Sequence, residues 1–331
     1  MSRSIPSENI QVDTSDEDSL FDRQSVVDSN LSLASSVRDY CYENGRRYHA
    51  YRHGQYPIPN DEEEQDRLEF LHHFFKLLTG GDLYRAPVAQ GRAPARILDL
   101  GTGTGDWALE MAEDFPGAEI VGTDLSPIQP NWAPPNCRFF IDDVESDWTF
   151  TQDEAFDYIH ARALAGGIAD WERLLRQAFS HLRPGGWIEL QEYETRFTSD
   201  DGTHEQVPTF NDWQERLDEA SKQFGKRMNI APELGRLMAE AGFVDVMDDI
   251  YKSPMGSWPK NPHLKDVGKV AKLTVLEAIE PYSLALFTRV LGHTYEETQE
   301  FMLKVQDDLM DSRHHVYGRV HYVYGRRPAD G

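Results

Sequence analysis

Between residues 95 and 108 the chain reads Ala95-Arg-Ile-Leu-Asp-Leu-Gly-Thr-Gly-Thr-Gly-Asp-Trp-Ala108: an apolar run closing on an acid, three alternating glycines, then a helical pattern. This predicts a buried strand that turns tightly into a helix. Gly101, Gly103 and Gly105 let the main chain take positive φ and let a ligand lie against bare backbone, while Trp107, Ala108, Met111, Ala112 and Phe115 give the helix its apolar stripe. The glycines alone could be a simple strand-to-helix turn. In this context, strand, acid, glycines and helix follow in the order of a doubly wound parallel sheet, which places a ligand at the strand's carboxyl end.

Spacing narrows the ligand. A dinucleotide site wants G-x-G-x-x-G, and here the third glycine comes one residue early. Asp99 would repel a pyrophosphate but suits an ammonium and a sulfonium, the two cationic groups of S-adenosyl-L-methionine. Asp99, Gly101, Thr102, Gly103 and Gly105 are therefore the predicted cofactor turn. Ala118-Glu-Ile-Val-Gly-Thr-Asp124 is a second short strand ending in an acid, 23 residues after Gly101. Asp124, followed by Leu125, is placed to accept hydrogen bonds from ribose hydroxyls. Cys137-Arg-Phe-Phe-Ile-Asp-Asp-Val144 is a third strand, with Asp143 and the Val144 amide the preferred partners of an adenine and Asp142 the fallback. No histidine accompanies these acids at ligand spacing, so no metal site is expected.

Composition excludes several function classes. Of the formal charge of −24, only five units lie in the first forty residues, so the whole surface is acidic and unsuited to nucleic acid or anionic membranes. Two cysteines, Cys41 and Cys137, make neither a disulfide framework nor a zinc site. No apolar run reaches spanning length and no signal-like segment opens the sequence, which predicts a cytoplasmic protein, with the nucleus as the alternative.

Residues 1–36, rich in Ser, Asp, Glu and Asn, read as a disordered acidic tail, with a short docking helix over 17–35 the other possibility. Residues 37–94 form a helical cap. Within it, the span from Glu43 to Asp61 concentrates tyrosines and arginines, so Tyr48, Tyr51 and Tyr56 are predicted either to close over the cofactor or to pack on the sheet edge. Asn60 is the expected N-cap of a helix whose stripe is Leu68, Leu71, Phe74, Phe75 and Leu78. His160 and Arg162 end the fourth strand at the cleft; His160 is the candidate general base, with a polar wall or a backbone-satisfied histidine as alternatives. Asp170 caps the next helix, Pro184-Gly185-Gly186 stops it, and Trp187–Tyr193 is the fifth strand. Helical lid insertions are expected at about 198–241 and 252–315, completing a catalytic domain over 95–327, with a helix from Asn211 to Gly225 and with Asn261-Pro262 and Thr294-x-x-Glu297 as helix starts. Arg162, Met255, Trp258 and His315 are candidate acceptor-binding residues, with packing the alternative for Met255, Trp258 and His315, and a small, partly apolar acceptor is expected.

With these motifs in register, the chain resembles a Rossmann-like class I S-adenosylmethionine-dependent methyltransferase, and within that class the fungal LaeA-like family. The narrower match rests on Asn44-Gly-Arg-Arg-Tyr-His-Ala-Tyr51, Tyr56-Pro-Ile-Pro-Asn-Asp61, Thr123-Asp-Leu-Ser-Pro-Ile-Gln-Pro130, Pro134-Pro-Asn-Cys137, Ile141-Asp-Asp143 and Ile159-His-Ala-Arg162. The resemblance covers residues 40–327. It implies a seven-stranded α/β sheet with the last strand antiparallel, and methyl transfer in fungal secondary metabolism. It also implies a rival role as a regulator acting through velvet-type protein partners. An NAD(P) oxidoreductase is disfavoured by the glycine spacing, by Asp99 and by the lack of a Tyr-x-x-x-Lys pair after strand four.

Overall fold

The computed structural model describes residues 40–49, 51, 52 and 54–329, so the tail and its possible helix lie outside the described residues. A short hairpin comes first, β1 (Cys41–Glu43) and β2 (Arg46–Tyr48), turning through Asn44 and Gly45 at φ 51 and 79°. Positive φ at both central residues is what a tight Asn-Gly hairpin turn requires. Then α1 (Glu62–Thr79) leads to β3 (Arg96–Leu100), α2 (Asp106–Asp114), β4 (Glu119–Asp124), β5 (Cys137–Ile141) and β6 (Phe156–Arg162). After α3 (Trp171–His181) come β7 (Leu182–Tyr193), α4 (Pro208–Phe224), α5 (Leu234–Glu240) and β8 (Val244–Pro254). The helices α6 (Pro262–Arg289) and α7 (Tyr295–Met310) precede β9 (Tyr317–Arg326).

Seven strands form one sheet in the order β5-β4-β3-β6-β7-β9-β8. The first five are mutually parallel, and β9 runs antiparallel to both β7 and β8. The expected sheet, last strand antiparallel, is the one observed. Apolar strand interiors such as Ile97, Leu98, Ile120 and Ile159 are covered on both faces, as a parallel sheet requires. One apolar cluster joins α1, α4, α6 and α7 to Val320 and Tyr322 of β9, so these helices stand over the end of the sheet where β7 and β8 finish.

Three local expectations shift, each for a physical reason. The N-cap of α1 is Asp61 rather than Asn60: Arg46 clamps the Asp61 carboxylate at 2.6 and 2.7 Å, and Asp61 accepts from Glu64 N. Asn60 is instead buried, donating to Ser126 Oγ at 3.1 Å. Pro184-Gly185-Gly186 does not precede the fifth strand but bulges within it, because Phe156 pairs with Leu182 and Tyr158 with Trp187. Helix α4 starts at Pro208, three residues ahead of the expected Asn211, since proline is favoured in a first turn. Asp170, Asn261 and the Thr294/Glu297 capping box cap their helices as anticipated.

The sheet edge carries a charge lock. His321 of β9 lies between Glu194 Oε1 and Asp248 Oδ2, each at 3.0 Å. Burial alone would push this imidazole down, but the two carboxylates outweigh it and raise the pKa from 6.5 to about 9. The folded form thus holds a proton the unfolded form has lost, so the stabilisation is complete below pH 6.5 and disappears as pH rises through about 9. In urea unfolding, His321→Gln should cost ~2 kcal/mol at pH 6. Little difference from wild type should remain at pH 10.

Candidate active site

Strand β3 ends at Leu100, and Gly101, Gly103 and Gly105 follow at φ 63, 57 and 89°. A side chain at any of these positions would be strained by the backbone alone. The loop is tied to the end of β4: Thr102 N donates to Thr123 O at 2.9 Å, and Gly103 N to Asp124 Oδ2 at 2.8 Å. Ser126 N donates to the other Asp124 oxygen, also at 2.8 Å. Burial raises the Asp124 pKa from 3.8 to about 6 against the pull of these amides, with Asp99 adding a further upward push.

Asp99 and His160 are register partners on adjacent strands β3 and β6. His160 Nδ1 lies 2.7 Å from Asp99 Oδ1, and Thr102 Oγ1 donates to Asp99 Oδ2 at 2.6 Å. Trp107 stacks on the imidazole at 3.6 Å and 6° between planes, while its own indole N–H donates to Leu83 O. The His160 ring has no exposed surface, and its Nε2 has no hydrogen-bond partner among the described residues. A general base must come within reach of the proton it removes, so this placement suits holding Asp99 far better than the base role expected of His160.

A cavity of about 130 Å³ gathers Asp99, Gly101, Thr102, Gly103, Asp124, Leu125, Asp142, Asp143, Val144, His160 and Arg162 in one wall system. Gly105 is buried behind it as the N-cap of α2, where a Cβ would meet the Phe139 ring at 2.7 Å. Tyr48 and Tyr51 do not line the cavity. The Tyr48 ring is buried beneath the Arg289 guanidinium at 5.1 Å, its hydroxyl pushed up to about 12 by that burial, and Tyr51 packs against Arg52. Trp258 and His315 pair with each other at 5.2 Å outside the cavity, His315 Nδ1 facing Asp201 at 2.6 Å. Met255 lines a second, neighbouring cavity.

The profile of a methyltransferase domain family matches residues 67–247. A methyltransferase from Aspergillus terreus, pytC, is 44% identical over 91% of this chain and 92% of its own length. The chain belongs to the methyltransferase family. It also belongs with the LaeA-like members: the secondary metabolism regulator laeA of Aspergillus flavus is 35% identical over 92% of this chain and 82% of its own. The protein-methionine methyltransferase laeA of Emericella nidulans is 34% identical over 86% and 76%.

The residues of this methyltransferase fit S-adenosyl-L-methionine. Glycines at positive φ leave backbone bare, and the carboxylates Asp99, Asp124 and Asp143 match a cation, a ribose diol and an amino group. Of the tyrosines and arginines expected to contact the cofactor, Tyr56 and Arg52 line the cavity, whereas sequence reasoning gave no place there to Tyr282 or to Asn60, which it assigned to a cap. Arg52 reaches the site, its Nε 3.1 Å from Asp143 Oδ2, and Tyr56, Asn60 and Tyr282 line it. Glu64 and Arg67 form a buried ion pair, Nε to Oε2 at 2.9 Å. Their three-residue spacing on α1 was visible, but burial under α6 was not.

Arg162 stands in the cavity with no carboxylate at ion-pair distance among the described residues; it donates to His72 Nδ1 at 2.9 Å, and His72 Nε2 faces Glu110 at 3.0 Å. Glu192, also unforeseen, accepts from Leu164 N at 2.6 Å and Ala165 N at 3.2 Å, and burial lifts its pKa from 4.5 to about 8. It pins the loop whose Leu164 side chain leaves no room for a Cβ at Gly101.

The raised Asp124 pKa predicts a pH-dependent cofactor affinity. Protonation removes an acceptor, so S-adenosyl-L-methionine binding should weaken as pH falls below about 6, by at most ~10-fold per pH unit. Calorimetry between pH 5 and 8 should show this slope in the wild type. Asp124→Asn should bind ~10-fold or more weakly at pH 8 and lose the slope.

Proposed function

We propose that the protein methylates a small molecule in fungal secondary metabolism, with the site residues in the roles that their chemistry suggests. Asp124 accepts from the ribose, Asp143 and the Val144 amide pair with the adenine, and Asp99, oriented by His160 and Thr102, faces the cationic amino-acid end. Bound S-adenosyl-L-methionine supplies an electrophilic methyl on a sulfonium. The chain's own part is to align and desolvate. Holding two reactants in line contributes up to about 7–11 kcal/mol in favourable systems, so no dedicated base is needed.

The observation that carries the small-molecule reading is the enclosure of the site: α1 contributes Glu64, Arg67, Leu68 and Leu71 to its wall and α6 contributes Tyr282, over the acids and the glycine loop. A pocket closed in this way suits a compact acceptor rather than a polymer. The higher identity to a relative named methyltransferase than to relatives named regulators supports the same reading. No described helix is long and apolar enough to cross a membrane; the place of action proposed is the cytoplasm, the nucleus being the alternative. The rival is a regulator that works through velvet-type partners or methylates protein.

Purified protein, methyl-labelled S-adenosyl-L-methionine and an extract of a strain deleted for this protein separate the two. Label should enter the small-molecule fraction, and Asp99→Asn should reduce that labelling ~100-fold or more, given ~3 kcal/mol for a buried charged contact. Label confined to protein would refute the proposal.

A further inference from the structure

In the roles proposed above, Asp143 meets the adenine, Asp124 the ribose and Asp99 the amino-acid end, so the cofactor crosses the ends of β5, β4 and β3 in turn. The next strand along the sheet is β6, and the acceptor comes in on that side. Register sets Asp99 beside His160 and Leu100 beside Ala161, so Arg162 follows one position further, level with the first glycine of the loop. It lines the cavity and is only partly buried, so its guanidinium is within a ligand's reach.

No carboxylate among the described residues contacts Arg162. A guanidinium can only donate, so the His72 Nδ1 that it meets at 2.9 Å is an acceptor, and the imidazole proton sits on Nε2, toward Glu110. Burial and the Arg162 charge both push His72 below its usual pKa, which keeps that ring neutral. Glu110 is ion-paired to Lys76 at 2.5 Å. Burial pulls the Arg162 pKa down, and Asp99, the carboxylate that most opposes this, is already held by His160 and Thr102. Around the guanidinium the surface is apolar, with the Phe75 ring at 5.2 Å and Leu68 and Leu71 in the cavity wall. A charge in such surroundings is costly without a counterion, and an anion carried by the ligand would supply one.

The same side of the cavity offers no proton acceptor to an incoming hydroxyl or amine. Among the described wall residues of α1, β6 and α6, Glu64 is ion-paired to Arg67, His160 is enclosed against Asp99 and Trp107, and the Tyr282 hydroxyl meets that of Tyr193. A nucleophile that arrives already ionised needs no base, and a carboxylic acid is ionised at neutral pH. We propose that Arg162 anchors a carboxylate of the acceptor and that this carboxylate is itself the methylated group, so that the product is a methyl ester. This names the acceptor class for the small-molecule reading above and rests on it. One carboxylate oxygen attacks the methyl carbon in line while Arg162 holds the other. The C–O bond forms as the C–S bond breaks with its electron pair left on sulfur, so carboxylate and sulfonium become ester and thioether and no proton moves.

The test repeats the labelling with the deletion-strain extract and treats the small-molecule fraction with alkali, which splits a methyl ester to methanol but leaves N-, C-, S- and ether-linked methyl groups in place. Wild-type label should become volatile. Arg162→Gln should lower small-molecule labelling ~10-fold or more, as expected for losing a charged hydrogen bond, and Arg162→Lys should recover part of it. Both variants should bind S-adenosyl-L-methionine with wild-type affinity by calorimetry. Small-molecule label that survives alkali overturns the carboxylate assignment and leaves the small-molecule reading intact. Cofactor affinity that falls in step with labelling overturns it too, because Arg162 would then serve the cofactor's own carboxylate. A small-molecule fraction without label defeats the reading on which the inference rests.

Discussion

Asp99 and His160 face each other at the point where the sheet changes direction. From β3 the strand order runs through β4 to β5 on one side, and from β6 through β7 and β9 to β8 on the other. The loops that leave these two strands diverge, and the crevice between them is where ligands of such sheets bind. Putting a carboxylate and an imidazole on its floor carries a desolvation cost. The 2.7 Å contact between them, the Thr102 hydroxyl and the Trp107 stack offset it. Each of those partners comes from a different constraint: Thr102 from the glycine turn, Trp107 from the first turn of α2, His160 from strand register. The carboxylate is thus oriented before any ligand arrives, which is what preorganised electrostatics demands.

What could be read from the sequence was what adjacent residues determine. Positive φ at a glycine, an apolar strand closing on an acid, and a cap three residues ahead of its partner are properties of contiguous chain. Where two neighbours were equally suited, the tie was broken by something distant. Asn60 and Asp61 both make good caps, and Arg46 in the hairpin takes Asp61, freeing Asn60 for Ser126. The tyrosines of the cap show the same limit. Composition announced a contact segment, but the hairpin at Asn44-Gly45 aims Tyr48 at Arg289 on α6, and it is Tyr56 that reaches the cavity. Trp258 and His315 had the right chemistry for a pocket. They pack on one another instead, because the turn after β8 brings Trp258 against the segment entering β9.

Net charge was a poor guide to the site. The chain carries −24 overall, yet Arg52, Arg67 and Arg162 all line the cofactor cavity. Arg67 is neutralised by Glu64 and Arg52 by Asp143, leaving Arg162 as the cation without a carboxylate partner among the described residues. Burial pulls its pKa down from the usual guanidinium value. It stays well placed to receive an anion, with the Phe75 ring 5.2 Å from its guanidinium. An acidic surface therefore governs solubility and partner choice, while the local field of the cleft is set by which charges are paired.

The two cavities differ because the strands beneath them arrive differently. β3, β4 and β6 each carry a polar residue within their last three positions and release a loop, so the floor is made of Asp99, Asp124, His160 and Arg162. Over β7 and β8 the edge is closed by β9, which enters from that end in the opposite direction and continues the hydrogen-bonded ladder. There β7 and the inner side of β8 pair their backbone groups with β9, and the helices α1, α4 and α6 cover the surface with apolar side chains. One antiparallel strand thus divides a single sheet edge into a polar half and an apolar half.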